Sequence, residues 1–170
     1  MAVLSKNSIK KLIEASLSLL EGYINIDEQL QPNGFDITLR EIGIPETQGK
    51  IETDNSRRII SRLKTVHFDK DGTVELKPGI YIVTFNEIVN LPKDIMAMGK
   101  PRSSLLRCGV AIHNAIWDAG YSGRSQALMV VYNPAGFKVQ KNARVLQLVF
   151  MRLDDETEGY GGIYQKENIK

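Results

Sequence analysis

The hydrophobic pattern changes its period once along the chain. Over residues 5–23, Ile9, Leu12, Ile13, Leu17 and Leu20 recur at helical spacing, with Lys10, Lys11 and Glu14 between them. That spacing predicts one amphipathic helix over 5–23, capped by Asn7 or Ser8. A polar stretch to Gln31 leads into Pro32-Asn33-Gly34, a turn signal built on fixed φ followed by tolerance of positive φ. Short β segments then take over. Phe35–Leu39 alternates as a half-buried strand should, Thr65–Phe68 is short, and Asp71-Gly72 makes a hairpin-type turn into Thr73–Leu76. Further strands are expected at Ile80–Phe85, Gly109–Ile112, Gln126–Tyr132, Gly136–Val139 and Ala143–Leu153. Strands punctuated by Gly or Pro roughly every ten residues predict a mainly β barrel or two-sheet fold. Residues 40–64 are polar and irregular, with a short helix expected near Asn55–Ile60. Residues 154–170 are acidic and then Gly-rich without a core pattern, so they read as a mobile arm on a single domain, 1–153.

Composition narrows this picture. A chain of 170 residues suits one compact domain, and its 42% apolar and 25% charged residues argue against disorder. A single Cys excludes an intramolecular disulfide framework and fits a reducing compartment. With only two His beside that Cys, a structural zinc site is not expected. A net charge of +2 is too balanced to predict binding to nucleic acid or to a membrane surface. No apolar run approaches the roughly 20 residues of a membrane helix, and the first residues lack the order of a secretory signal. A cytoplasmic protein is expected. Fourteen glycines in one small domain call for a use.

The densest chemistry lies between Lys100 and Asn133. Arg102, Ser103, Ser104 and Arg107 offer guanidinium forks and hydroxyls within six residues, an inventory suited to phosphate oxygens. On local evidence the same residues also describe a capped surface turn with solvated charges. Asp118, between Trp117 and the Gly120 turn, reads either as a general base for water or as an Asp bonding its own turn. Tyr121 reads equally as a platform under a sugar ring or as a core aromatic. His113 is read as structural, and Cys108, in an apolar context, as buried and inert. Arg144 and Gln147 lie three apart on a strand, either site residues or an amphipathic edge. The stretch Glu158–Gln165, with Tyr160, Tyr164 and several glycines, reads as a closing lid or a disordered end.

Taken in order, these pieces resemble the deoxyuridine triphosphatase and deoxycytidine triphosphate deaminase superfamily over nearly the whole chain. Gln31-Pro32-Asn33-Gly34-Phe35-Asp36-Ile37-Thr38-Leu39 resembles its early QP-x-x-x-D-x-x-L segment, and Pro101–Arg107 its GRSSLAR motif, though Lys-Pro precedes Arg-Ser-Ser here where the family has Gly. Asp118–Gly123 resembles D-x-G-Y-x-G, Arg144-Val145-Leu146-Gln147 resembles R-I-A-Q, and the Gly-rich tail resembles the closing arm. The resemblance implies a distorted jelly-roll fold and a homotrimer with active sites shared between subunits. It implies magnesium carried on the nucleotide's phosphates, with no metal bound directly by the protein. By the same resemblance Asp118 orients water, Tyr121 packs under deoxyribose, and Arg102, Ser103, Ser104, Arg107 and Gln147 hold the phosphates. Tyr164 and Gln165 belong to the arm, and the base is read by backbone groups just before Asp118.

The reaction turns on one missing residue. Deaminases of this superfamily carry a Glu in an I-T-L-E-L-x-N strand, ten residues after the Asp and three before the Asn. Here, counting forward from Asp118 reaches Leu128, and counting back from Asn133 reaches Val130. Neither moves a proton. The strand is also two residues longer, which sets Gln126 beside an insertion. The resemblance is therefore strongest to the archaeal-type deoxyuridine triphosphatases, with dUTP as substrate and dUMP and pyrophosphate as products. A dCTP deaminase or bifunctional enzyme drawing an acid from elsewhere, and a non-catalytic nucleotide-binding homologue, are the alternatives.

Overall fold

A computed structural model describes residues 2–169. Its strands are β1 (Ala2–Val3), β2 (Leu20–Glu21), β3 (Leu30–Gln31), β4 (Gly34–Pro45), β5 (Leu63–Val66), β6 (Thr73–Leu76) and β7 (Gly79–Phe85). They continue with β8 (Ile88–Asn90), β9 (Ile95–Pro101), β10 (Val110–His113), β11 (Ser122–Gly123), β12 (Gln126–Val131), β13 (Phe137–Gln140) and β14 (Arg144–Arg152). Three short α-helices, α1 (Lys6–Ile13), α2 (Ile26–Gln29) and α3 (Ser103–Arg107), and one 3-10 turn at Asn55–Arg57, where a short helix is expected, complete it. The fold is mainly β. Its largest sheet runs β1-β14-β4-β7-β12-β10, with β3 and β5 also on β4 and β9 on β14. Every pairing given is antiparallel. Strand β4 makes the sheet curl. Its first half pairs with β14 and its second half with β7 and β5, with a register shift against β7 between Leu39 and Glu41. Phe35, Phe85 and Phe150 lie fully buried in the resulting core.

Four expectations need correction. The helix predicted over 5–23 ends at Ile13, and Ser5, rather than Asn7 or Ser8, caps it by accepting from the Ser8 amide. Leu17 points to solvent at 89% exposure, while Leu20 leaves the helical pattern to pair with Val89 as β2. Ser18 Oγ donates to the Leu20 carbonyl at 2.7 Å, a local bond that competes with the helix ladder. The alternation of Phe35–Leu39 does not leave a wet face, because Gly34–Leu39 is buried throughout. A side chain at Gly34 would have no room, since an added Cβ would sit 2.4 Å from the Leu148 carbonyl oxygen. The segment Ile95–Pro101, which carries no strand signal, pairs with β14 over seven positions. Finally, Cys108 is exposed rather than buried.

The polar interior has its own order. Glu87 is fully buried, and its carboxylate accepts from the Gln29 amide at 2.7 Å, the Thr38 hydroxyl at 2.7 Å and the Thr38 amide N–H at 2.8 Å. Burial pushes this carboxyl up, and the three donors oppose the shift by favouring the charged form. The knot locks α2 and the β7–β8 turn onto β4. Among the described residues, no helix is long and apolar enough to cross a membrane.

Candidate active site

Two groups of residues gather at different places on this sheet. The first lies where β4, β14 and β9 run side by side. Asp36, Gln147 and Lys100 are register partners across these three strands, so they share one face. Asp36 is 2% exposed, and its Oδ2 lies 3.0 Å from Arg102 Nε and 3.7 Å from Arg144 Nη1. Burial pushes the Asp36 carboxyl up, while the two guanidiniums pull it back. Each arginine keeps about a third of its side chain exposed, and each also donates from Nη1 to a backbone carbonyl, Arg102 to Arg144 and Arg144 to Glu28. Ser103, Ser104 and Arg107 follow on α3 and are all exposed. Arg102, Arg144 and Gln147 thus form a donor-rich group around Asp36 at the start of α3. Asp36, which the sequence pattern quotes without a role, holds it in shape.

The second group lines a cavity of about 840 Å³. Asp118, Tyr121, Tyr160, Tyr164 and Glu167 contribute to it, over a floor that includes Trp117 and Leu128. Trp117 is fixed on both sides. Its backbone exchanges two hydrogen bonds with Ala97 at 2.9 and 3.0 Å, and its indole N–H donates to Ser125 Oγ at 2.9 Å. The next residue, Asp118, is exposed and opens a turn closed by the Tyr121 N–H on the Asp118 carbonyl at 3.1 Å. Its carboxylate therefore projects from a rigid base into water. Tyr121 is 6% exposed and stacks edge-on against Tyr160, with centroids 5.7 Å apart. Its hydroxyl donates to Glu167 Oε1 at 2.8 Å. Burial, reinforced by Glu167, pushes that hydroxyl far above its usual range, so it remains a donor. Burial also raises Glu167, against the pull of the Tyr121 bond.

The C-terminal arm lies along the Asp118 turn. The Tyr160 N–H donates to the Ala119 carbonyl at 2.8 Å, and Gln165 bridges the Gly120 carbonyl at 2.9 Å and the Ser122 N–H at 2.7 Å. Gly120 has a φ of +81°, and a Cβ there would come within 2.7 Å of Gly159 Cα. Backbone touches backbone at this point, which only glycine permits. Tyr164 lines the cavity, whereas Gln165 holds the arm to its seat. On the opposite wall, the irregular segment carries Ile51, Ile59 and Ile60, with Lys50 and Ile59 bridged by mutual hydrogen bonds of 2.8 Å.

None of Arg102, Ser103, Ser104, Arg107 or Gln147 lines this cavity in a single chain. The deaminase-type acid is missing as well: Gln126 and Leu128 face the cavity from β12, and Val130 shares their face. The carboxylate that lines the cavity besides Asp118 is Glu167, which no local pattern marks. Between β11 and β12, Arg124 and Ser125 belong to neither strand.

Comparison with known proteins fits this geometry. The model of the dCTP deaminase-like family matches residues 3–153. A Methanosarcina mazei protein named a probable deoxyuridine 5'-triphosphate nucleotidohydrolase is 53% identical over 99% of both chains. The Methanocaldococcus jannaschii deoxyuridine 5'-triphosphate nucleotidohydrolase is 35% identical over 82% of this chain and 88% of its own. Among solved structures, the 2'-deoxycytidine 5'-triphosphate deaminase of Agrobacterium tumefaciens shares the fold with a TM-score of 0.67 at 22% identity. That match covers 87% of this chain and about half, 47%, of the deaminase. A match over nearly the whole sequence, with curated relatives of the same length, assigns the chain to the dCTP deaminase-like family.

Proposed function

We propose that this protein hydrolyses dUTP to dUMP and pyrophosphate by attack of water on the α-phosphorus. The observation that carries the reading is the pairing of a water-accessible Asp118 on a rigid cavity wall with a β12 face that offers Leu128 where a deaminase needs an acid. Full-length relatives named for dUTP hydrolysis support it. Asp118 orients the water and accepts its proton as the oxygen attacks phosphorus, and pyrophosphate departs. Tyr121 supports the deoxyribose ring. Arg102, Ser103, Ser104, Arg107 and Gln147 bind the triphosphate and stabilise the charge that builds on the leaving group.

Because those phosphate ligands lie outside the Asp118 cavity of one chain, the complete site is read as shared. The curled sheet is taken as a distorted jelly roll assembled into a homotrimer, one copy supplying Asp118 and Tyr121 and another the phosphate ligands. The arm, through Tyr164 and Gln165, closes the site from water. The donor set suits a metal that arrives with the substrate, since guanidinium and hydroxyl groups hold phosphate oxygens while Asp118 is a single exposed carboxylate. Magnesium on the triphosphate would neutralise part of its charge. A nucleotide substrate and a lone thiol suit the cytoplasm.

One incubation tests the assignment. With dUTP or dCTP plus magnesium, pyrophosphate should form from dUTP alone. Ammonia from dCTP would overturn the reading in favour of deamination, and binding without products would make the chain a non-catalytic homologue.

A further inference from the structure

We infer that Arg124 is a positioning residue that clips the C-terminal arm onto the wall of the Asp118 cavity. The inference rests on the proposed reading that the arm closes over a nucleotide there, and it begins with the two residues between β11 and β12. Gly123 pairs with Val89 of β8, whereas Gln126 pairs with Thr84 of β7. At 124–125 the chain therefore leaves one sheet for another, and the Arg124 backbone is free of both ladders.

The arm takes that place. The Arg124 N–H donates to the Glu167 carbonyl at 2.9 Å, and Asn168 Nδ2 donates to the Arg124 carbonyl at 3.0 Å. The Arg124 guanidinium adds a fork. Its Nε donates to the Asn168 carbonyl at 3.0 Å, and its Nη1 donates to the Asn86 carbonyl in the body. One side chain thus ties the arm to the β7–β8 turn. Burial and the neighbouring Arg40 disfavour the charge on this guanidinium, opposed by Glu87 and Glu41, so the residue is held there against its own solvation. Ser125 completes the device by accepting the Trp117 indole N–H beside Asp118. The clip also sets the register of Glu167, whose carboxylate receives the Tyr121 hydroxyl. Lysine has the charge but not the two-pronged geometry.

The test is amide hydrogen exchange on the full-length protein without nucleotide, comparing wild type, Arg124→Ala and Arg124→Lys. The alanine variant should speed exchange of the Lys166 amide, which donates to the Ser122 carbonyl at 2.6 Å, by about tenfold or more. Exchange in β12 and β14 should stay unchanged, and lysine should recover only part of the protection. The dUTP KM should rise while kcat holds, because saturating nucleotide selects the closed arm. Unchanged arm exchange in Arg124→Ala would overturn the inference. So would faster exchange spread equally over β12 and β14, which is the mark of a merely structural residue. A non-hydrolysable dUTP analogue added to wild type separates the two claims. If it fails to protect the arm further, the closing-arm reading falls, while the nucleotide-free comparison still decides the clip.

Discussion

Asp36 sits buried within β4 and holds Arg102 and Arg144 by charge. Asp118, by contrast, stands exposed on a turn whose shape comes from backbone hydrogen bonds and a seated arm. The same side chain does opposite work in the two places. A carboxylate enclosed between guanidiniums is a structural brace, since its lone pairs are already engaged. A carboxylate projecting from a fixed base keeps its lone pairs for water. The surroundings of Asp36 are therefore built into paired strands, whereas those of Asp118 are assembled from turns and a docked arm.

Substitutions at the two places should break this comparison differently. The largest effect belongs to Asp118→Asn, which should lower kcat by about 10²–10⁴-fold and leave the melting temperature and nucleotide affinity nearly unchanged, because the side chain is exposed. Near wild-type turnover would remove Asp118 from the mechanism. Asp36→Asn should do the reverse: about 2–3 kcal/mol of stability lost in a denaturant titration, with weakened triphosphate binding. A variant that keeps full stability would show that Asp36 does not brace the arginines.

A smaller effect is expected at the hinge of the second region. Gly120→Ala should cost about 1–2 kcal/mol, from the positive φ and the contact with Gly159. The loss should be confined to the arm's protection against exchange, and uniform destabilisation would argue that the arm and body unfold together. The mildest test is pH. Burial gives Glu167 a higher pKa with the arm docked than with it free. The docked arm therefore holds its proton more tightly, and docking is strongest below the ordinary Glu value. It weakens as pH rises through the raised value. Glu167→Gln should flatten that dependence in arm protection factors corrected for intrinsic exchange; an unaltered slope would assign it to another group.

Much of the site was readable because its signals are local. The turn at Asp118–Gly123, the Arg-Ser-Ser run and the strand opened by Arg144–Gln147 each specify their geometry within a few residues. The misreadings share one cause. Leu17 and Leu20 continue a helical period, yet Leu20 is claimed by Val89, 69 positions away. Ile95–Pro101 has little strand character of its own and becomes a strand because β14 offers it an edge. The arm carries no core pattern of its own because its order comes from polar side chains such as Gln165, Glu167 and Asn168 bonding to residues 120–124, more than 40 positions away.

The sequence by itself determined the β class, the turns, the chemical inventory and the missing deaminase acid, since each depends on near neighbours or on the presence of a residue type. Only the tertiary structure decided what Asp36 and Arg124 do and which carboxylate meets Tyr121. Those roles depend on groups 38 to 108 positions apart brought within hydrogen-bonding or ion-pair distance. Such distances follow from sheet curl and strand order, which no local stretch of chain encodes.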